Sequence, residues 1–120
     1  MMSLIHHTLP LLMQRSNIFA YIELSNFVDE IAVDPAERPS SLLALHAYFN
    51  IIPSNMLSEE LASEWDDICR IVSRSGPSLD ASGRVIANAV KNTIKQMTRD
   101  ECLAIVERVI ALRQRVAVDF

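Results

Sequence analysis

Residues 58–75 read SEELASEWDDICRIVSRS, and this stretch decides the fold class. Leu61, Trp65, Ile68 and Val72 recur at spacings of four, three and four, the period of a single helix face. Ser58 supplies a hydroxyl cap, and Glu59 and Glu60 set negative charge at the positive end of the helix dipole. Gly76 and Pro77 stop the pattern. The spacing predicts an amphipathic helix from Ser58 to about Ser75, whose apolar stripe other elements must cover.

Working toward the N-terminus, Pro53 ends a short apolar helix that carries Leu42, Leu45, Tyr48 and Phe49 and is capped by Ser40 or Ser41. It is too short to hold alone. Pro35 and Pro39 mark Val33 to Ser40 as a connector. Before it, Ser16 or Asn17 caps a helix running to about Ala32, with Ala20, Leu24, Phe27, Val28 and Ile31 on one face. Ile18, Phe19, Tyr21 and Ile22 widen that face, so this helix is either central or part of an interface.

Working toward the C-terminus, the segment Ser75 to Gly83 holds both glycines and reads as a turn between helices. A helix from about Ser82 to Met97 then turns Ile86, Ala89, Val90, Thr93 and Met97 inward. Thr98 with Glu101 matches a capping box and opens a last helix through Leu103, Val106, Val109, Ile110 and Val116. The expectation is an all-α single domain over residues 1–120, an irregular bundle of four to five helices. Its core comes from residues 16–32, 58–75, 81–97 and 98–115, with 1–15 and 116–120 more loosely ordered.

Half of the 120 residues are apolar, more than a small monomer needs inside, which points to apolar surface left for a partner or a second copy. Net charge is -4, from 11 Lys and Arg against 15 Asp and Glu. It is unevenly spread: residues 1–80 hold four basic and eleven acidic side chains, residues 81–120 seven and four. The apolar run from Leu4 to Met13 is broken by His6, His7 and Pro10 and has neither a basic leader nor a small-residue cleavage site, so it reads as neither signal peptide nor membrane span. Cys69 and Cys102, each flanked by apolar residues, read as buried thiols of a reduced, cytoplasmic protein.

Three constellations carry chemistry. Glu60, Glu64 and Asp67 share one helix face at spacings of four and three, with Trp65 beside them, and together they are the candidate contact residues for a basic protein partner. The bland reading of the carboxylates is a solvated face, and that of Trp65 is core. Arg84, Asn88, Lys91 and Lys95, extended by Arg99, form a basic and amide stripe on the predicted helix 82–97; Arg84, Lys91, Lys95 and Arg99 are the candidate phosphate contacts. No aromatic residue is interleaved for base stacking, and pairing with the acidic stripe is an equally good reading. The loop from Gly76 to Arg84 fails as a phosphate loop, because six residues separate its glycines and the second is followed by Arg84 and Val85.

His6, His7, His46, Cys69 and Cys102 include no pair at metal-ligand spacing, and His46 reads as a histidine satisfied by a backbone carbonyl. No residue set places carboxylates, a thiolate or a metal for catalysis, so no enzyme activity, cofactor or metal is expected. The chain is therefore expected to be a small acidic protein-binding module that masks or escorts a basic partner, as an immunity protein, antitoxin or chaperone does. The alternative is a dimeric nucleic-acid-associated regulator using residues 84–99.

Overall fold

The computed structural model describes residues 18–119. Helix α1 spans 18–30, followed by a 3-10 turn at Pro35–Glu37, α2 at Arg38–Ala44, α3 at Tyr48–Ile51 and a second 3-10 turn at Ser54–Met56. Helix α4 is Glu59–Val72; strands β1 (Ser78–Leu79) and β2 (Val85–Ala87) form a hairpin; α5 is Ala89–Gln96 and α6 Arg99–Val118. The all-α bundle expected from the sequence is the architecture found, with this hairpin as its only sheet among the described residues. The predicted caps at Ser16 and Asn17, the stretch from Leu4 to Met13 with its histidines, and the order of residues 1–15 lie outside the described residues.

One apolar core joins all the helices. Leu61, Trp65, Ile68 and Val72 of α4 are buried, as their period requires, against Cys102, Ile105, Val106, Val109, Leu112 and Val116 of α6 and Ala20, Leu24, Phe27 and Ile31 of α1. Aromatic rings stack through its centre. Tyr48 lies parallel to Phe27 at 4.8 Å, Phe27 meets Phe49 edge-on at 5.1 Å, and Phe49 stacks on Trp65 at 5.6 Å. The Trp65 indole N–H donates to the Ile52 carbonyl at 2.9 Å, so its polar atom is satisfied inside the core.

Three sequence expectations are corrected. Both prolines read as connector residues sit in first turns instead, Pro35 opening the 3-10 turn and Pro39 within the first turn of α2; a missing amide hydrogen costs nothing at either place because those N–H groups have no helical partner. The short helix expected from Ser40 or Ser41 to Ile52 is split at residues 45–47, where His46 and Tyr48 make backbone bonds three residues back. The His46 Nδ1–H donates to the Leu43 carbonyl at 2.9 Å, the satisfied histidine that the sequence suggested.

The largest correction concerns residues 81–88. They belong to a hairpin turn and strand, and α5 begins only at Ala89 behind the cap Asn88, whose side chain accepts from the Lys91 N–H at 2.9 Å. The turn is fixed by one carboxylate. Asp80 Oδ1 accepts from the Ser82 N–H at 2.9 Å, the Ser82 hydroxyl at 2.7 Å and the Arg84 N–H at 2.9 Å, while Gly83 takes the left-handed conformation (φ +86°) that the turn demands. The carboxyl of Asp80 is held below its ordinary range by these donors, the Ser82 hydroxyl first. Ser78 pairs with Ala87 and Leu79 with Val85, so Ile86 has no counterpart and forms a bulge. Two ties anchor the hairpin's root to α5: the Ser75 N–H donates to the buried Thr93 hydroxyl at 3.0 Å, and Asn92 Nδ2 donates to the Gly76 carbonyl at 2.9 Å.

Candidate functional site

The acidic stripe of α4 is on one face, as its spacing dictates, and that face meets α6. Helices α4 and α6 run antiparallel, and arginines of α6 neutralise the stripe: Arg115 Nη2 lies 2.6 Å from Glu60, and Arg108 Nη2 bridges Glu64 at 2.5 Å and Asp67 at 2.9 Å. Arg70 also pairs with Asp67 at 2.6 Å, and Arg74 reaches across to Glu101. Arg70 and Arg108 hold the Asp67 carboxyl below its ordinary range, and the hydrogen bond that Arg108 donates to Glu64 raises its own guanidinium further. The open depression beside this seam, about 490 Å³, is lined by Ser63, Glu64, Asp66, Asp67 and Arg70, without the apolar walls that bury a small ligand.

Trp65 is only 1% exposed, so its candidacy as an interface anchor is corrected: a ring that stacks on Phe49 and bonds to Ile52 has no face left for a partner. Arg108 and Arg115 were not singled out from the sequence. The signal was a matched spacing, since Glu60 and Asp67 are seven residues apart on one helix and Arg108 and Arg115 seven apart on the other.

The basic stripe is dispersed by the hairpin. Arg84 sits at the end of the turn, Asn88 is a cap, Lys91 and Lys95 are on α5, and Arg99 opens α6. None of Arg84, Lys91, Lys95 and Arg99 makes an ion pair with another described residue, so the acidic stripe is not their complement. Lys95 lines a shallow groove with Pro39, Ser40, Leu43, Ile94, Met97 and Cys102, toward α2 and away from the hairpin.

A surface that the sequence marked only as broad emerges on α1. Ile18 (44% exposed), Phe19 (42%) and Ile22 (49%) face away from the buried row of Ala20, Leu24 and Phe27. Glu23, at i+4 from Phe19, and Asp29, at i+7 from Ile22, continue the same outer faces as carboxylates, followed by Asp34 and Glu37. Within residues 18–38 Arg38 is the sole cation, and its Nε donates to the Ala32 carbonyl. Glu30 accepts from the Tyr48 hydroxyl at 2.7 Å; this bond, with lesser help from burial, pushes the Tyr48 phenol up to about 12. That bond ties the α1 surface to α3.

Both thiols are kept protonated by burial, Cys69 pushed up to about 12 and Cys102 raised. Neither has the electropositive surroundings of a nucleophile. Among the described residues no cluster of three His, Cys, Asp or Glu side chains could hold a metal ion, and no helix is long and apolar enough to cross a membrane.

The α6 capping box gives a pH signature. The Thr98 N–H, with Arg74 second, lowers the Glu101 carboxyl from 4.5 to about 2. Unfolding therefore takes up protons as the pH falls below the unfolded value, so this stabilisation is complete above about 4.5 and is lost from there toward 2. Denaturation midpoints are expected to fall across that window, and Glu101→Gln to flatten the fall; a midpoint that holds down to the bottom of the window contradicts the assignment.

No protein-family model matches this chain, and no curated protein and no solved structure is detectably similar to it.

Proposed function

We infer that the chain is a protein-binding module whose partner is basic, and that the docking face is the outer side of α1 with the segment that follows it. The observation behind this reading is the combination on one helix of three half-exposed apolar side chains, Ile18, Phe19 and Ile22, with carboxylates that no described cation neutralises, Glu23 and Asp29. An apolar centre beside a charged rim is the anatomy of a protein interface, in which the rim raises the encounter rate and selects the partner. The α4 stripe, already paired with Arg108 and Arg115, is left out of the contact. Such a module masks the working surface of its partner, as an immunity protein or antitoxin does, or escorts it.

The test is capture from a native lysate at low salt, with half the sample treated with nuclease. A stoichiometric basic protein is expected to survive nuclease, to drop at least about tenfold in affinity with Glu23→Lys/Asp29→Lys, and to bind Glu60→Ala/Glu64→Ala/Asp67→Ala undiminished. Retention by the first variant and loss by the second would return the contact to α4. A second reading, phosphate binding by Arg84, Lys91, Lys95 and Arg99, rests on those cations having no described partner. It requires a gel shift at low salt that falls steeply as salt rises.

A further inference from the structure

The described residues carry a second exposed apolar patch, and the side chains flanking it are opposite in charge to those beside the α1 patch. Leu79 is 54% exposed, Val85 61% and Ile86 64%, all on the β1–β2 hairpin, and Arg84 and Lys91 flank them without an ion pair to any described residue. Asp80, the acid of this hairpin, has one carboxylate oxygen engaged by the N–H and O–H groups of its own turn. The α1 patch of Ile18, Phe19 and Ile22 is bordered instead by Glu23 and Asp29.

We propose that these two surfaces dock on each other between copies of this chain: the hairpin patch of one molecule sits on the outer face of α1 of the next. Each apolar patch finds a partner of similar size, and each charged border meets the opposite charge. Pairing either patch with its own copy would set Arg84 and Lys91 against Arg84 and Lys91, or Glu23 and Asp29 against Glu23 and Asp29, which electrostatics disfavours. The contact is therefore heterologous, head to tail, and every added copy leaves one patch of each kind free. Six roughly half-exposed side chains offer less than the ~1,200 Å² of a standard interface, so the association is of the weak, transient kind. It needs no other protein, and because it uses the same face of α1, a basic partner and a second copy compete for that face.

The test uses the purified full chain in sedimentation equilibrium. At low salt the weight-average mass is expected to rise from the monomer's 13.5 kDa as concentration increases. Ile18→Ser/Ile22→Ser and Val85→Ser/Ile86→Ser, folded by circular dichroism because all four positions are exposed, are each expected to remain monomeric. Mixed in equal amounts they retain one intact patch of each kind, so the mixture is expected to reach twice the monomer mass and stop. That complementation is peculiar to a head-to-tail contact. A wild-type chain that stays monomeric at the highest concentration, a single variant that associates as the wild type does, or a mixture that fails to recover each overturns the proposal; the last two place the contact elsewhere, and the first shows the patches are covered by something other than a second copy.

Discussion

Trp65→Ala is expected to lower the free energy of unfolding by about 3–5 kcal/mol, the range for truncating a large buried aromatic. The ring lies in the core, stacks on Phe49 at 5.6 Å and satisfies the Ile52 carbonyl through its indole N–H. Removing it opens a cavity where α3 meets α4 and leaves that carbonyl without its donor, two costs that fall on the same place. With small domains holding only about 5–15 kcal/mol in total, roughly a fifth or more of the stability is at stake. Urea denaturation with unchanged m-value and a shifted midpoint is the readout. Trp65→Phe, which keeps the stacking but not the N–H, is expected to fall in between. A loss below about 1 kcal/mol in the alanine variant would mean that the ring is not a core element.

Phe27→Ala is expected to cost a similar ~3–5 kcal/mol, and its effect should spread further. Phe27 is the buried residue of α1 that touches both Tyr48 and Phe49. Without it the α1 surface keeps its Tyr48–Glu30 hydrogen bond but loses the ring beneath it. Amide exchange in residues 18–30 is therefore expected to speed up more than in α6. Because Phe27 and Trp65 both pack on Phe49, the two substitutions should not add; a double-mutant cycle is expected to give a coupling of at least about 0.5 kcal/mol. Strict additivity would show that the stack is two independent contacts and not one column.

Helix α4 was legible from its stripe and α6 from its start. Ser58, however, stands at the α4 cap position without a side-chain cap bond, and Leu103 and Ile110 of the expected α6 stripe are only half-buried while Cys102, Ile105 and Leu112 fill the core. The Thr98–Glu101 capping box is present in full, and all four apolar positions of α4 are buried. The hairpin was missed because Ile86, Ala89, Val90 and Thr93 also fit a helical stripe, and a β-branched pair beside a five-residue turn is a weak local signal. Ile86, counted as inward, is among the most exposed apolar residues. The better reading lay in Asn88, a preferred cap directly before Ala89. The acidic stripe was legible as a face, but a face has no address. Which of two basic helices it meets depends on topology, and one sequence carries no record of which helix is the antiparallel neighbour. The α1 surface was half legible, since an apolar stripe too wide for one buried face must show part of itself, though only the burial pattern says which part.

The hairpin rests on the body through two hydrogen bonds at its root and sends none of the side chains from Leu79 to Ile86 into the core. Its sequence is thus under little constraint from folding, and only the turn geometry of Asp80 and Gly83 restricts it from within. A segment in that position can drift, lengthen or be exchanged while the helices stay as they are. Side chains there can therefore change at little cost to the packing of the helices.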